Sequence, residues 1–229
     1  MRDSIWSASR LLCAYSGLLA ASCRAAEVEI WAWCLMPNHV HLILVLSDAD
    51  GLRRALAPVH RRYAGIIHAR RKRTGHFWQG RFGCVAMDEE YLSAALRYVS
   101  LNPVRARLVN RARDWRWSSV RAHLGGRHDG VTTLAPVRER YPDFANFLSE
   151  EADPRRSRGC AAPRPLAGRS APANSSTCWS GKRNAFSSPP SAGQSRAFRR
   201  VKCTVTVMTN ETTLPGQDGL QDSSRTRVA

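Results

Sequence analysis

Two histidines one residue apart, His39 and His41, stand in the run His-Val-His-Leu-Ile-Leu-Val-Leu at 39–46. Side chains alternate across a strand, so a strand here sends both imidazoles to one face and Val40, Leu42 and Leu44 into the core on the other. Two neutral imidazoles side by side make half of a divalent-metal site. The bland alternative is a pair of partly exposed histidines on an open sheet face. A zinc hydrolase needs further close ligands, and no HExxH or comparable group accompanies the pair.

Tyr98 and Asn102 lie in Tyr-Val-Ser-Leu-Asn. On a helix, residues i and i+4 share a face, so the phenol and the amide point at the same spot. A tyrosine beside an oxygen ligand able to complete a two-histidine site is suited to phosphodiester transesterification: a metal polarises the phosphate, and a tyrosinate attacks it to leave a covalent phosphotyrosine. Tyr91, seven residues earlier, shares that face and is a rival nucleophile. A half-buried packing role is the ordinary alternative for either tyrosine.

Charge supplies the third signal. No acidic residue occurs between Asp50 and Asp88, whereas Arg53, Arg54, Arg61, Arg62, Arg70, Arg71, Lys72, Arg73 and Arg81 all do. So dense a run of like charge points to a polyanion rather than a merely solvated face. His76-Phe77-Trp78-Gln79-Gly80-Arg81-Phe82 then interleaves aromatics with an arginine, a composition that can stack on unpaired bases while gripping phosphates. Single-stranded or hairpin nucleic acid is the natural ligand. Phe77, Trp78 and Phe82 would equally well pack this loop onto the domain, a role compatible with base stacking.

These residues need elements to position them. Leu11, Tyr15, Leu18, Leu19 and Ser22 fall at helical spacing; the segment also resembles a signal peptide, but the helix reading fits the strand-like run that follows. Residues 27–35 and 39–46 read as strands joined by Met36-Pro37-Asn38, turn chemistry for an antiparallel hairpin. Residues 51 to about 73 read as a helix with Leu52, Leu56, Val59, Tyr63, Ile66 and Ile67 on one face and arginines on the other, started or kinked by Pro58. A short strand over 83–87 precedes a helix over 88–102 that Pro103 should stop, and a last short helix spans 117–124.

The chain of 229 residues carries 35 Lys+Arg against 18 Asp+Glu, a net +17. Its seven cysteines form no CxxC pair, which argues against a zinc finger or a disulfide framework, and no apolar run is long enough to span a membrane. Composition divides it at about residue 152. The first part holds a net +8, while 153–229 holds +9 in a segment rich in Pro, Ser and Arg that reads as a disordered tail. Within that tail only Val201-Lys202-Cys203-Thr204-Val205-Thr206-Val207 alternates like a strand, with nothing evident to pair with.

Cys34 to Leu42 around MPNHVH, Gly75 to Phe82 (GHFWQGRF), Tyr98 to Ala106 (YVSLNPVRA) and Asp114 to Ser119 (DWRWSS) together resemble the REP-associated tyrosine transposases, bacterial single-tyrosine members of the HUH endonuclease group. The resemblance implies an α+β, ferredoxin-like antiparallel sheet with helices packed on it, over residues 1–152. It implies metal-dependent cleavage and rejoining of single-stranded DNA at hairpin-forming palindromes. By position, His39 and His41 would bind Mg²⁺ or Mn²⁺ with Asn102 as third ligand, and Tyr98 rather than Tyr91 would be the nucleophile. Arg105 joins the basic set as a DNA contact, and the protein would work in the cytoplasm at the nucleoid.

Such domains open with a strand central to the sheet, and only about ten residues precede the first helix here. That strand is therefore expected to be missing, which leaves the hairpin of 27–46 with an unpaired edge. The tail has the character of a shifted reading frame, so a shortened or decayed gene is the accompanying expectation. A non-catalytic DNA-hairpin binder, domesticated or decayed from such an enzyme, is the second functional reading, and an RNA-binding protein the third.

Overall fold

The computed structural model describes residues 3–80, 82–149 and 200–209. Helix α1 (Asp3–Ala25) is followed by strands β1 (Glu29–Leu35) and β2 (His39–Leu46), helix α2 (Gly51–Arg71), strand β3 (Gly83–Met87) and helix α3 (Glu89–Arg105). Short helices α4 (Val120–Gly125), α5 (Ala135–Arg140) and α6 (Phe144–Ser149) come next, and strand β4 (Val201–Met208) is last. The sheet has four strands in the order β1-β2-β4-β3, every neighbouring pair antiparallel.

Strand β4 corrects the expected unpaired edge. The neighbour of the hairpin comes from the far end of the sequence, because the alternating Val-Lys-Cys-Thr-Val-Thr-Val run pairs along the whole of β2 on one side and with β3 on the other. Its apolar residues Cys203, Val205 and Val207 are buried in register with Leu44, Leu42 and Val40. One core face fixes that register, since a slip of one residue would turn the valines away from it. The reading of 153–229 as a disordered tail therefore does not hold for 201–209, and the rest of that segment lies outside the described residues.

Each face of the sheet has its own core. Val40, Leu42, Leu44 and Leu46 pack with Ile30, Trp33 and β4 against Leu11, Tyr15, Leu19 and Cys23 of α1 and Leu56, Val59, Tyr63 and Ile67 of α2. The spacing of four along α1 gives the buried stripe anticipated from the sequence. On the other face Ile43, Val45, Ala32 and Cys34 meet Leu92, Ala95, Leu96 and Val99 of α3. A bulge between Ile30 and Ala32 lets Trp31 and Ala32 both face α3.

Some element boundaries differ from expectation. Helix α2 begins at Gly51 as the spacing predicts, but Pro58 lies inside it rather than starting it, and Ile66 is 38% exposed rather than buried. Asp88 caps α3 by accepting the Tyr91 N–H at 2.9 Å, with Glu89 and Glu90 in the positive first turn. This helix runs past Pro103 to Arg105, since proline removes only its own donor. It ends where Leu108 N–H bonds Pro103 C=O and Arg107 turns left-handed at φ 58°. Helix α4 starts at Val120, later than expected, because Trp117 to Ser119 lie against the outer edge of β1: Leu35 N–H donates to Trp117 C=O and Ser119 N–H to Trp33 C=O.

Candidate functional site

Strand β2 places His39 and His41 on the face that α3 covers. Their rings meet edge to face with centroids 4.6 Å apart. From α3, one turn apart, Tyr98 sets its ring 5.2 Å from that of His41, and Asn102 sets its amide Nδ2 3.0 Å from His41 Nε2. The expected spot on one helical face therefore exists, and the histidine pair faces it. Tyr91 does not join them; it lies two turns away at the start of α3 and is 51% exposed. Arg105, one turn beyond Asn102, holds its guanidinium 5.5 Å from the Tyr98 ring centre.

The site is largely closed to water. His41 is 2% exposed and Asn102 8%, while His39 and Tyr98 are half-buried, so the face is not an open one that merely tolerates histidines. Burial pushes the His39 pKa down to about 4, and burial with the neighbouring His39 pushes His41 down to about 3. Both rings are therefore neutral at pH 7.

The other ring nitrogens are occupied. His39 Nδ1 lies 2.6 Å from Asn38 Oδ1, and His41 Nδ1 lies 3.2 Å from Thr206 Oγ1 on β4. Thr209 in turn donates its N–H (2.9 Å) and its hydroxyl (3.1 Å) to the Asn38 carbonyl. None of Asn38, Thr206 and Thr209 was singled out from sequence as a site residue. The signal available was the polar face of the alternating run, Lys202, Thr204 and Thr206, which only a partner strand makes meaningful.

Two neutral imidazoles and a carboxamide form an uncharged donor set. Among the described residues no group of three His, Cys, Asp or Glu side chains gathers as a metal site. Asn102 would ligate through its carboxamide oxygen, whereas its Nδ2 is the atom 3.0 Å from His41 Nε2.

The basic residues do not all gather here. Helix α2 lies on the opposite face of the sheet from Tyr98, starting beside Val28 and Leu46. Arg53 is forked onto Asp50 at 2.7 Å and Arg54 pairs with Asp48, so these two close the loop before α2 at the end of β2 away from His39. Helix α2 runs back toward the other end, where Gln79 N–H bonds Met208 C=O, Trp78 bridges Thr209, and Met208 is paired with His39. Arg70, Lys72, Arg73, His76 and Gln79 are exposed. Arg61 and Arg62 are exposed in mid-helix, Arg71 is half-buried, and Arg81 lies outside the described residues.

Phe77 and Trp78 take the packing alternative. Phe77 is buried against Tyr63 (5.7 Å) and His68 (6.2 Å). Trp78 rests on the His60 ring at 4.5 Å and donates to the His60 carbonyl at 3.0 Å.

Residues 2–102 match the model of a family described as IS200-like transposases, a span that contains both histidines and Tyr98 and ends on Asn102. The match is a likeness to that family over less than half of the chain. No curated protein and no solved structure matches the chain. Among the described residues no helix is long and apolar enough to cross a membrane.

Proposed function

Starting from that likeness, we propose that this chain is a single-tyrosine HUH endonuclease and strand transferase that acts on single-stranded DNA at hairpin-forming palindromic repeats. The observation that carries the reading is the convergence on His41 of the Asn102 amide at 3.0 Å and the Tyr98 ring at 5.2 Å. The motif blocks quoted above support the REP-associated subtype. His39, His41 and Asn102 hold Mg²⁺ or Mn²⁺, which supplies Lewis-acid polarisation of the phosphate oxygens when bound.

The Tyr98 oxygen attacks the phosphorus and its proton passes to solvent. The bond from phosphorus to the 3′ oxygen breaks, that oxygen leaves as a hydroxyl after taking a proton from solvent, and the 5′ phosphate stays on Tyr98 as an ester. One phosphate ester replaces another, so the step is reversible, and a second 3′ hydroxyl can displace Tyr98 and rejoin the strand. Arg105, with its guanidinium 5.5 Å from the centre of the Tyr98 ring, offers a fork for a phosphate of the bound strand. The exposed Arg70, Lys72 and Arg73 steer the flanking strand.

The test is a labelled single-stranded hairpin oligonucleotide incubated with the protein and Mn²⁺, then run on a denaturing gel. A covalent adduct that disappears in Tyr98→Phe and His39→Ala is expected. An adduct that survives Tyr98→Phe would overturn the nucleophile. Salt-sensitive binding with no adduct from the wild-type chain would leave the non-catalytic hairpin binder.

A further inference from the structure

We infer that Thr206, far outside the segment matched to the transposase family, is a positioning residue of the site: its hydroxyl fixes the His41 ring so that Nε2 presents its lone pair toward Asn102. The inference rests on the metal-site reading above and adds to it a residue supplied by β4.

Both ends of the imidazole support it. The Asn102 amide nitrogen stands 3.0 Å from His41 Nε2, which makes Nε2 the acceptor and places the ring proton on Nδ1. Thr206 Oγ1, 3.2 Å from Nδ1, accepts that proton. His39 has the same arrangement, since Asn38 Oδ1 accepts from its Nδ1 at 2.6 Å. Each histidine is thus held through Nδ1 with Nε2 turned to the site, where that of His41 accepts from the Asn102 amide; an outer hydrogen bond of this kind sets the tautomer and aim of a metal-binding imidazole.

Strand β4 is built to keep Thr206 there. Thr206 is the direct cross-strand partner of His41, and Val205 and Val207 on either side are buried on the opposite face, so register and hydroxyl placement are set together. The strand is pinned at both ends. Arg200 pairs with Glu29 at 2.6 Å and Lys202 with Glu89, while Thr209 gives both its donors to the Asn38 carbonyl. Through that last contact β4 also steadies the residue that orients His39. The side chains that would bind metal lie within residues 2–102, and the group that aims one of them lies a hundred residues later.

The experiment uses the full chain and compares Thr206→Ser with Thr206→Ala, which differ by one oxygen, against Thr204→Val as a control on the same strand face. Mn²⁺ affinity is read from the free-ion electron-spin signal, and the His41 tautomer of the metal-free protein from imidazole nitrogen NMR. Thr206→Ala is expected to weaken Mn²⁺ binding by about 10–100-fold, the range for loss of such an outer partner, and to mix the two tautomers of His41. Thr206→Ser should stay within about threefold of wild type, and Thr204→Val should match it. A folded Thr206→Ala with wild-type Mn²⁺ affinity and an unchanged tautomer overturns the inference. If wild type binds no Mn²⁺, the metal reading fails by itself, and the tautomer still decides whether Thr206 orients His41.

Discussion

The two faces of β2 do different work. Val40, Leu42, Leu44 and Leu46 lie in a continuous apolar core beneath α1 and α2, whereas the other face begins with His39 and His41 and turns apolar only from Ile43 onward, under α3. Both faces are covered, so the difference is not one of exposure: His41 is as buried as the leucines beside it. It lies in what the burial achieves. One face gains stability from transfer of hydrocarbon out of water. The other uses burial to keep two imidazoles neutral and aimed, which is a cost to stability met by the hydrogen bonds from Asn38, Asn102 and Thr206.

The harshest way to break this division is to charge the apolar face. Val205→Asp on β4 sets a carboxylate among Leu42, Cys84 and the largely apolar residues of α1 and α2. Burying an unpaired charge costs several kcal/mol or more, so loss of cooperative unfolding in urea and of near-ultraviolet circular dichroism is expected. A Val205→Asp chain that stays folded would mean that β4 is dispensable to the sheet.

Next in size is a paired comparison on one strand. Leu42 is fully buried, and Leu42→Ala should cost about 2–5 kcal/mol by urea titration while Mn²⁺ affinity changes little. His41→Ala should cost clearly less stability and abolish Mn²⁺ binding. If the two variants lost equal stability, the assignment of packing to one face and chemistry to the other would fail.

How far this division was legible depends on the range of the interaction. The alternation of 39–46 already put both histidines on one face, the spacing of Tyr98 and Asn102 already put them on one side of a helix, and the α1 stripe was visible in Leu11, Tyr15 and Leu19. These are local periodicities. That β4 fills the place beside β2 was not legible, because pairing across more than 150 residues leaves no mark on either strand beyond its own alternation. Nor was the position of α2 behind the sheet, which made the arginines at 53 and 54 look like part of a groove beside the site when they brace a loop at its far end. The packing of Phe77 and Trp78 was not legible for a related reason: an aromatic beside arginine suits a base or a core, and only the contacts with Tyr63, His60 and His68 of α2 show that they pack the loop onto the domain.

A smaller effect tests the rim where β4 meets α3. Glu89 accepts from Arg140 at 3.0 Å and from Lys202, and these partners hold its carboxyl down at about 2 against a usual 4.5. A pKa depressed in the folded state contributes stability above the unfolded value and loses it as pH falls through the folded one. Wild type should therefore exceed Glu89→Gln in urea midpoint at pH 7, with the gap narrowing from pH 4.5 toward 2. The side chain is more than half exposed, so the gap should also shrink in high salt. A gap that is constant with pH would mean that the glutamate contributes by packing rather than by charge.

The smallest effect concerns Thr204, two residues before Thr206 on the same side of β4 and paired with Ile43 and Val85. Its hydroxyl is buried with no hydrogen-bond partner among the described residues. An unsatisfied buried hydroxyl is a net cost, so Thr204→Val, which keeps the β-branched shape and removes the oxygen, should raise stability by up to about 1 kcal/mol. Thr206→Val, identical in shape change and one register position closer to the histidines, should not stabilise, because its hydroxyl is the acceptor for His41. The pair isolates one oxygen on the chemical face from one on the apolar part of the same face. Equal urea midpoint shifts for the two variants would place the boundary between packing and chemistry beyond Thr206, and opposite shifts place it between residues 204 and 206.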